Sequence, residues 1–188
     1  MNVIAEPLGI LFENLWRSGE ALDDWKKANR VPIFKKGKEE KPGNYRLVSL
    51  TSVPGKIMEQ VLKETILKHL EERKVIRNSQ NGFTNSKSCL INLTTFYDEI
   101  TGSVDVGKAV DLIYLDFRKA FDTVSHSILA SKLKKYGLDE WTIRWIERWL
   151  VCQAQQVLIN SSMSSWQPVL TRIPQRSVLG LVLFNIFY

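Results

Sequence analysis

One stretch constrains the fold of this chain more than any other. It is Ala109-Val110-Asp111-Leu112-Ile113-Tyr114-Leu115-Asp116, an apolar run bounded by charges and closed by a carboxylate. A run of this length suits a β-strand buried on both faces. An acid at the C-terminal end of such a strand is unusual, because desolvating a carboxylate is costly unless a cation or hydrogen-bond donors compensate. Asp116 therefore reads in two ways. It is an oxygen ligand for Mg²⁺, which prefers hard carboxylate oxygens and can stabilise the attacking and leaving oxygens of a phosphoryl transfer. Or it is a strand-ending Asp that caps the next helix.

The rest of the chain supplies helices and hairpins around that strand. Leu8, Leu11, Phe12 and Leu15 predict a helix over roughly 3–18, stopped by Gly19. Residues 28–34 read as a short strand, 35–44 as a Lys/Gly/Pro loop and 45–51 as a second strand, together a hairpin with a charged tip. Pro54 and the four-residue spacing of Met58, Leu62, Ile66 and Leu70 predict a helix over 54–72. Residues 78–88 are polar and read as a loop, followed by a helix over 88–101. Helices are expected over 125–136 and 139–150, separated by Gly137, with Asp139 as the N-cap of the second. Residues 153–160 and 165–171 suit a hairpin around Asn160-Ser161-Ser162, and 177–188 a last helix. This mixture predicts an α+β domain.

Length and composition exclude several classes. The 188 residues match one ordinary domain, and 44% hydrophobic with 24% charged residues argues against a disordered, collagen-like or disulfide-scaffold chain. Cys89 and Cys152 lie far apart with no CxxC or Cys/His cluster, so a structural zinc site is not expected, and both thiols read as buried and inert in a reducing compartment. Glu6 and Glu13 inside an amphipathic pattern exclude a signal peptide. The longest strongly apolar run, Val178 to Tyr188, spans 11 residues and contains Asn185, too short to cross a bilayer as a helix. The chain stops inside that run, which reads as a cut end. The net charge of +6 points to an anionic partner.

Three further groups of residues suggest chemistry. Lys35, Lys36 and Lys38 with Arg46 supply the cations that a triphosphate or nucleic-acid backbone needs; alone they read as a solvated lysine loop. Gln175 follows Pro174 and offers both a donor and an acceptor, or forms an ordinary turn into a helix with Ser177 as cap. Trp141, Trp145 and Trp149 recur every four residues, as a base-stacking face or, more in keeping with such stripes, as core packing.

The order of these features resembles the reverse transcriptase of non-LTR retrotransposons, in its jockey-like and vertebrate-repeat branch. The matching stretches are Trp25 to Phe34 with Lys35-Lys36-Gly37-Lys38, Pro42-Gly43-Asn44-Tyr45-Arg46, Val48 to Ser52, Ser79-Gln80-Asn81-Gly82-Phe83, Tyr114-Leu115-Asp116-Phe117, Lys119-Ala120-Phe121-Asp122, and Pro174-Gln175 with Ser177-Val178-Leu179-Gly180. The resemblance implies an incomplete right-hand polymerase fold. Its fingers would cover about 1–105 and 125–170 and part of its palm about 106–124 and 171–188, with no thumb. It implies Asp116 as the first metal-binding aspartate, the Phe117 carbonyl as a further ligand, and Phe121 as a steric gate against a ribose 2′-hydroxyl. Asp122 would be a second acid with a structural or electrostatic role. Lys36 and Arg46 would grip the incoming triphosphate and Gln175 the nucleotide, while Gln80, Gly82 and Phe83 lie near the template. The implied chemistry is attack of a DNA primer 3′-hydroxyl on the α-phosphate of a deoxynucleoside triphosphate, directed by an RNA template with two Mg²⁺ ions as the clamp. The resemblance implies a place inside the cell, at target DNA in the nucleus.

Three departures accompany the resemblance. The Tyr-x-Asp-Asp hairpin that supplies the family's other metal-binding carboxylates does not occur within these residues. The chain alone is therefore expected to be inactive, with a non-catalytic RNA- or template-binding remnant as the alternative. Arg176 replaces the glycine usual after Pro-Gln, and Leu47 and Leu181 stand where proline is usual. The charge also has an address. Between Lys26 and Arg46 stand eight basic residues and two acidic ones, a surplus equal to the +6 of the whole chain.

Overall fold

The computed structural model describes residues 3–77, 79–84, 87–115, 120–169, 173–174 and 177–188. Among the described residues there are six α-helices and a five-stranded mixed sheet. Helix α1 (Ala5–Ser18) ends at Gly19, whose φ of +67° lets its N–H turn back onto the Trp16 carbonyl. Helix α2 (Val53–Glu72) starts with Pro54 in its first turn and the Ser52 hydroxyl accepting from the Gly55 N–H. Its Met58, Leu62, Ile66 and Leu70 are all buried, as their spacing predicts. Helices α4 (His126–Lys135), α5 (Glu140–Leu150) and α6 (Gly180–Phe187) complete the core with Leu129, Leu133, Ile146, Leu150 and Leu183. The Asp139 carboxylate accepts from the Thr142 N–H at 2.9 Å, the cap expected for α5.

Strand β1 (Lys27–Phe34) pairs antiparallel with β2 (Tyr45–Leu50), Asn29 opposite Leu50 and Phe34 opposite Tyr45, which is the expected hairpin. The other edge of β1 pairs in parallel with β3 (Gln153–Ile159), from Lys27 opposite Ala154 to Arg30 opposite Val157. Pro32 falls just past this second pairing, where no strand among the described residues pairs with that edge of β1 and a missing N–H disrupts no ladder. Strand β3 reverses at Asn160 and Ser161, both with positive φ, into the short β4 (Ser162–Met163) and then β5 (Gln167–Val169), which pairs back onto β3. Two successive positive-φ residues make the turn whose twist matches a hairpin.

Several expectations are corrected. Residues 109–115 form no strand, and Ile113, Tyr114 and Leu115 are each at least 80% exposed. A strand buried on both faces needs a neighbour on each edge to take its N–H and C=O groups. Among the described residues no strand pairs with this stretch. Both cysteines are exposed rather than buried. Cys89 opens α3 (Cys89–Asp105), a helix with no buried residue that runs past the expected end at 101. Cys152 takes a φ of +61° in the turn between α5 and β3. The tryptophan stripe divides. Trp145 and Trp149 are buried with stacked rings 6.0 Å apart, whereas Trp141 is half exposed under the Arg144 guanidinium, so core packing accounts for the pair.

Candidate functional site

A cleft of about 720 Å³, open to solvent, gathers segments that are remote in sequence. Strand β2 contributes Arg46 and Leu47, the turn over 79–84 contributes Phe83, and the short 3₁₀ turn Ala120–Asp122 contributes Phe121. The opposite wall is Pro174 and Ser177 with the first residues of α6, Gly180 and Leu181. Arg46 is the single charged side chain among the described lining residues.

Phe83 and Phe121 of the lining join Phe184 in an aromatic triad. The rings of Phe121 and Phe184 stack with centroids 4.3 Å apart and 23° between planes. Phe83 stands edge-on to both at 6.2 Å, the geometry in which a ring's positive edge meets another ring's negative face. The Phe121 carbonyl accepts from the Ile173 N–H at 3.2 Å, which ties the triad to the segment leading to Pro174. The turn carrying Phe83 is fastened by side-chain amides. Gln80 donates to the Gly82 carbonyl at 3.1 Å and to the Asn185 amide oxygen at 3.2 Å, and Asn185 donates to the carbonyls of Gly82 and Phe83.

Glu59 holds the opposite wall. It lies on α2 at 4% exposure and its Oε2 accepts from the Val178 N–H at 2.6 Å and the Leu179 N–H at 3.3 Å. These N–H groups belong to the two residues that lead into α6, Leu179 being its N-cap, where the helix has no partner of its own to offer. Burial pushes the Glu59 carboxyl up to about 7, against the opposing pull of these two hydrogen bonds and of Lys56. Gly180 packs tightly beside it. A Cβ there would come within 2.6 Å of the Ser177 hydroxyl and 3.2 Å of the Pro174 carbonyl.

Of the residues singled out from sequence, Arg46, Phe83 and Phe121 meet at this cleft, with Gln80 and Gly82 fastening Phe83 in place. Leu47 and Leu181 both belong to its lining. Lys36 sits on the exposed hairpin tip and does not line it. Asp116, Phe117, Gln175 and Arg176 lie outside the described residues, and of Asp122 only its place in the 3₁₀ turn is described. Among the described residues no cluster of three or more Asp, Glu, His or Cys side chains could hold a metal ion; Asp116 and Phe117, the ligands expected for Mg²⁺, lie outside those residues. Among the described residues no helix is long and apolar enough to cross a membrane. Sequence reasoning missed Glu59 and Asn185 as site-building residues. Each carries the same signal, a polar side chain set within an apolar face: Glu59 between Met58 and Leu62, Asn185 between Phe184 and Ile186.

Residues 33–188 match the family described as reverse transcriptase (RNA-dependent DNA polymerase). The chain belongs to that family. It is 28% identical over 187 residues to the probable RNA-directed DNA polymerase from transposon BS of Drosophila melanogaster, a match covering 96% of this chain and 20% of the relative. It is 27% identical over 181 residues to the RNA-directed DNA polymerase from mobile element jockey of the same species, covering 96% of this chain and 20% of that protein. It is also 27% identical over 168 residues to a Pol polyprotein from the type-1 retrotransposable element R2 of Popillia japonica, covering 89% of this chain and 23% of the relative. Its relatives thus come from non-LTR retrotransposons, and the chain spans about a fifth of their length.

Proposed function

We propose that this chain is the fingers and part of the palm of a retrotransposon RNA-directed DNA polymerase, and that the cleft is its pocket for an incoming deoxynucleoside triphosphate. The fingers are 1–105 and 125–170, and the palm segments 106–124 and 171–188. One observation carries the reading: Arg46, Phe83, Phe121 and the Pro174 that precedes Gln175 come from four separate segments and line one cleft. A lone arginine in the lining suits a triphosphate, and a fixed ring suits the face of a sugar. Arg46 grips the triphosphate, helped by Lys36 from the hairpin tip. Phe121 stands against the sugar's C2′ and rejects a ribose hydroxyl. Gln175 contacts the nucleotide, Gln80, Gly82 and Phe83 border the template, and Asp122 acts structurally or electrostatically. Asp116 and the Phe117 carbonyl are the ligands for Mg²⁺, which neutralises charge on the reacting phosphates when bound.

The 188 residues alone do not extend a primer, because one aspartate cannot hold two Mg²⁺ ions without the family's Asp-Asp hairpin. Primer extension on an RNA template tests this. No incorporation is expected, and incorporation abolished by Asp116→Ala overturns it. A second reading, nucleic-acid binding without chemistry, draws support from Lys35, Lys36, Lys38 and Lys41, all exposed at the hairpin tip. It predicts a salt-dependent RNA shift whose slope falls as these lysines are removed. The family's nuclear setting, with RNA template and DNA primer as partners, belongs to the same proposal.

A further inference from the structure

Helix α6 carries a single polar side chain, Asn185, among its hydrophobic residues. That amide faces the turn over 79–84 and satisfies three of its groups. Its Nδ2 donates to the Gly82 carbonyl at 3.1 Å and the Phe83 carbonyl at 3.2 Å, while its Oδ1 accepts from Gln80 at 3.2 Å. Phe83 itself has a φ of +56°, in the left-handed region that a bulky L-residue rarely adopts. Such a conformation persists only where its surroundings over-determine it. Packing alone does not do so, since Phe83 is 51% exposed.

We infer that Asn185 is a positioning residue for the aromatic wall of the cleft. By holding the Gly82 and Phe83 carbonyls it keeps Phe83 left-handed, its ring edge against Phe121 and Phe184, and so fixes the Phe121 ring at the cleft. A wall held in one place rejects a bulkier sugar, whereas a mobile one yields to it. Asn185 therefore acts on discrimination between deoxy- and ribonucleotides and not on grip of the triphosphate. This last consequence rests on the reading of the cleft as a nucleotide pocket.

The test places 4-fluorophenylalanine at position 121 and follows its fluorine resonance in wild type, Asn185→Asp, Asn185→Leu and Phe83→Ala. Asn185→Asp is nearly isosteric, keeps the acceptor for Gln80 and loses the donor to both carbonyls. Both Asn185 variants are expected to move the resonance to its position in Phe83→Ala. Amide exchange over 79–84 should rise by about tenfold while α4 and α5 exchange as in wild type. A resonance that stays put in both Asn185 variants, or in Phe83→Ala, overturns the inference. Calorimetric titration with dGTP and GTP then reads the ratio of their affinities, which should fall toward one in Asn185→Asp, with tripolyphosphate binding unchanged. A ratio that holds while the resonance moves overturns the link to discrimination. Wild-type protein that binds neither nucleotide refutes the nucleotide pocket, and the fluorine and exchange results still decide the positioning role.

Discussion

Replacing Glu59 with glutamine isolates a buried titration that couples the core to the cleft. Glu59 is 4% exposed, and its Oε2 accepts the Val178 and Leu179 N–H groups at the start of α6. Burial raises its carboxyl from the ordinary 4.5 to about 7. Between those two values the folded protein binds more protons than the unfolded chain, so stability from this group is fully present below pH 4.5 and is lost as pH rises through 7. At about 1.36 kcal/mol per pH unit, the loss from 4.5 to about 7 amounts to about 3 kcal/mol. For a chain of this size that is a fall of about 6–12 °C in melting temperature. Glutamine keeps an oxygen for both N–H groups and cannot ionise. Melting followed by circular dichroism from pH 4.5 to 8 should therefore show wild type losing stability with pH and Glu59→Gln losing about 3 kcal/mol less over the same interval. The difference between the two profiles cancels every other titrating group. Glu59→Leu, which strips both N–H groups of their acceptor, should lie about 2 kcal/mol below wild type at acid pH. Parallel profiles for wild type and Glu59→Gln would refute the reasoning.

Trp145→Ala should cost about 3–5 kcal/mol in urea denaturation and Trp141→Ala about 1 kcal/mol or less, because the first ring is fully buried and the second half exposed. Gly180→Ala should destabilise by about 1–3 kcal/mol despite its helical position, since the new methyl meets the Ser177 hydroxyl and the Pro174 carbonyl. Gly102→Ala in α3, where nothing lies within 4 Å, should stabilise by about 0.5–1 kcal/mol in the same assay. Cys89 and Cys152 should both react with Ellman's reagent in the native protein, as their exposure requires.

What was legible in the sequence is what short-range chemistry determines. The α2 stripe, the Gly19 stop, the Asp139 cap and the β1–β2 hairpin all follow from neighbours within a few residues. The parallel pairing of Lys27–Arg30 with Ala154–Val157 was not legible, because it joins residues more than a hundred positions apart and depends on the helices between them. Residues 109–116 show the converse. Their composition suits a buried strand, yet a strand exists only by virtue of partners, and 109–115 have none among the described residues. At the cleft, Arg46 and Phe121 were found by motif, whereas Glu59 and Asn185 sit in otherwise apolar faces and show their purpose only once α2, α6 and the turn over 79–84 are brought together.

The cleft between β2, Phe83, Phe121 and α6 is proposed to receive a deoxynucleoside triphosphate. Photolabelling with 8-azido-dATP, followed by mapping of the modified peptides, tests it most directly. Label is expected on peptides that contain Arg46, Phe83, Phe121 or Leu181, displaced by unlabelled dATP and diminished in Arg46→Ala. Label confined to other surfaces, or label at the cleft that excess dATP fails to displace, would contradict it.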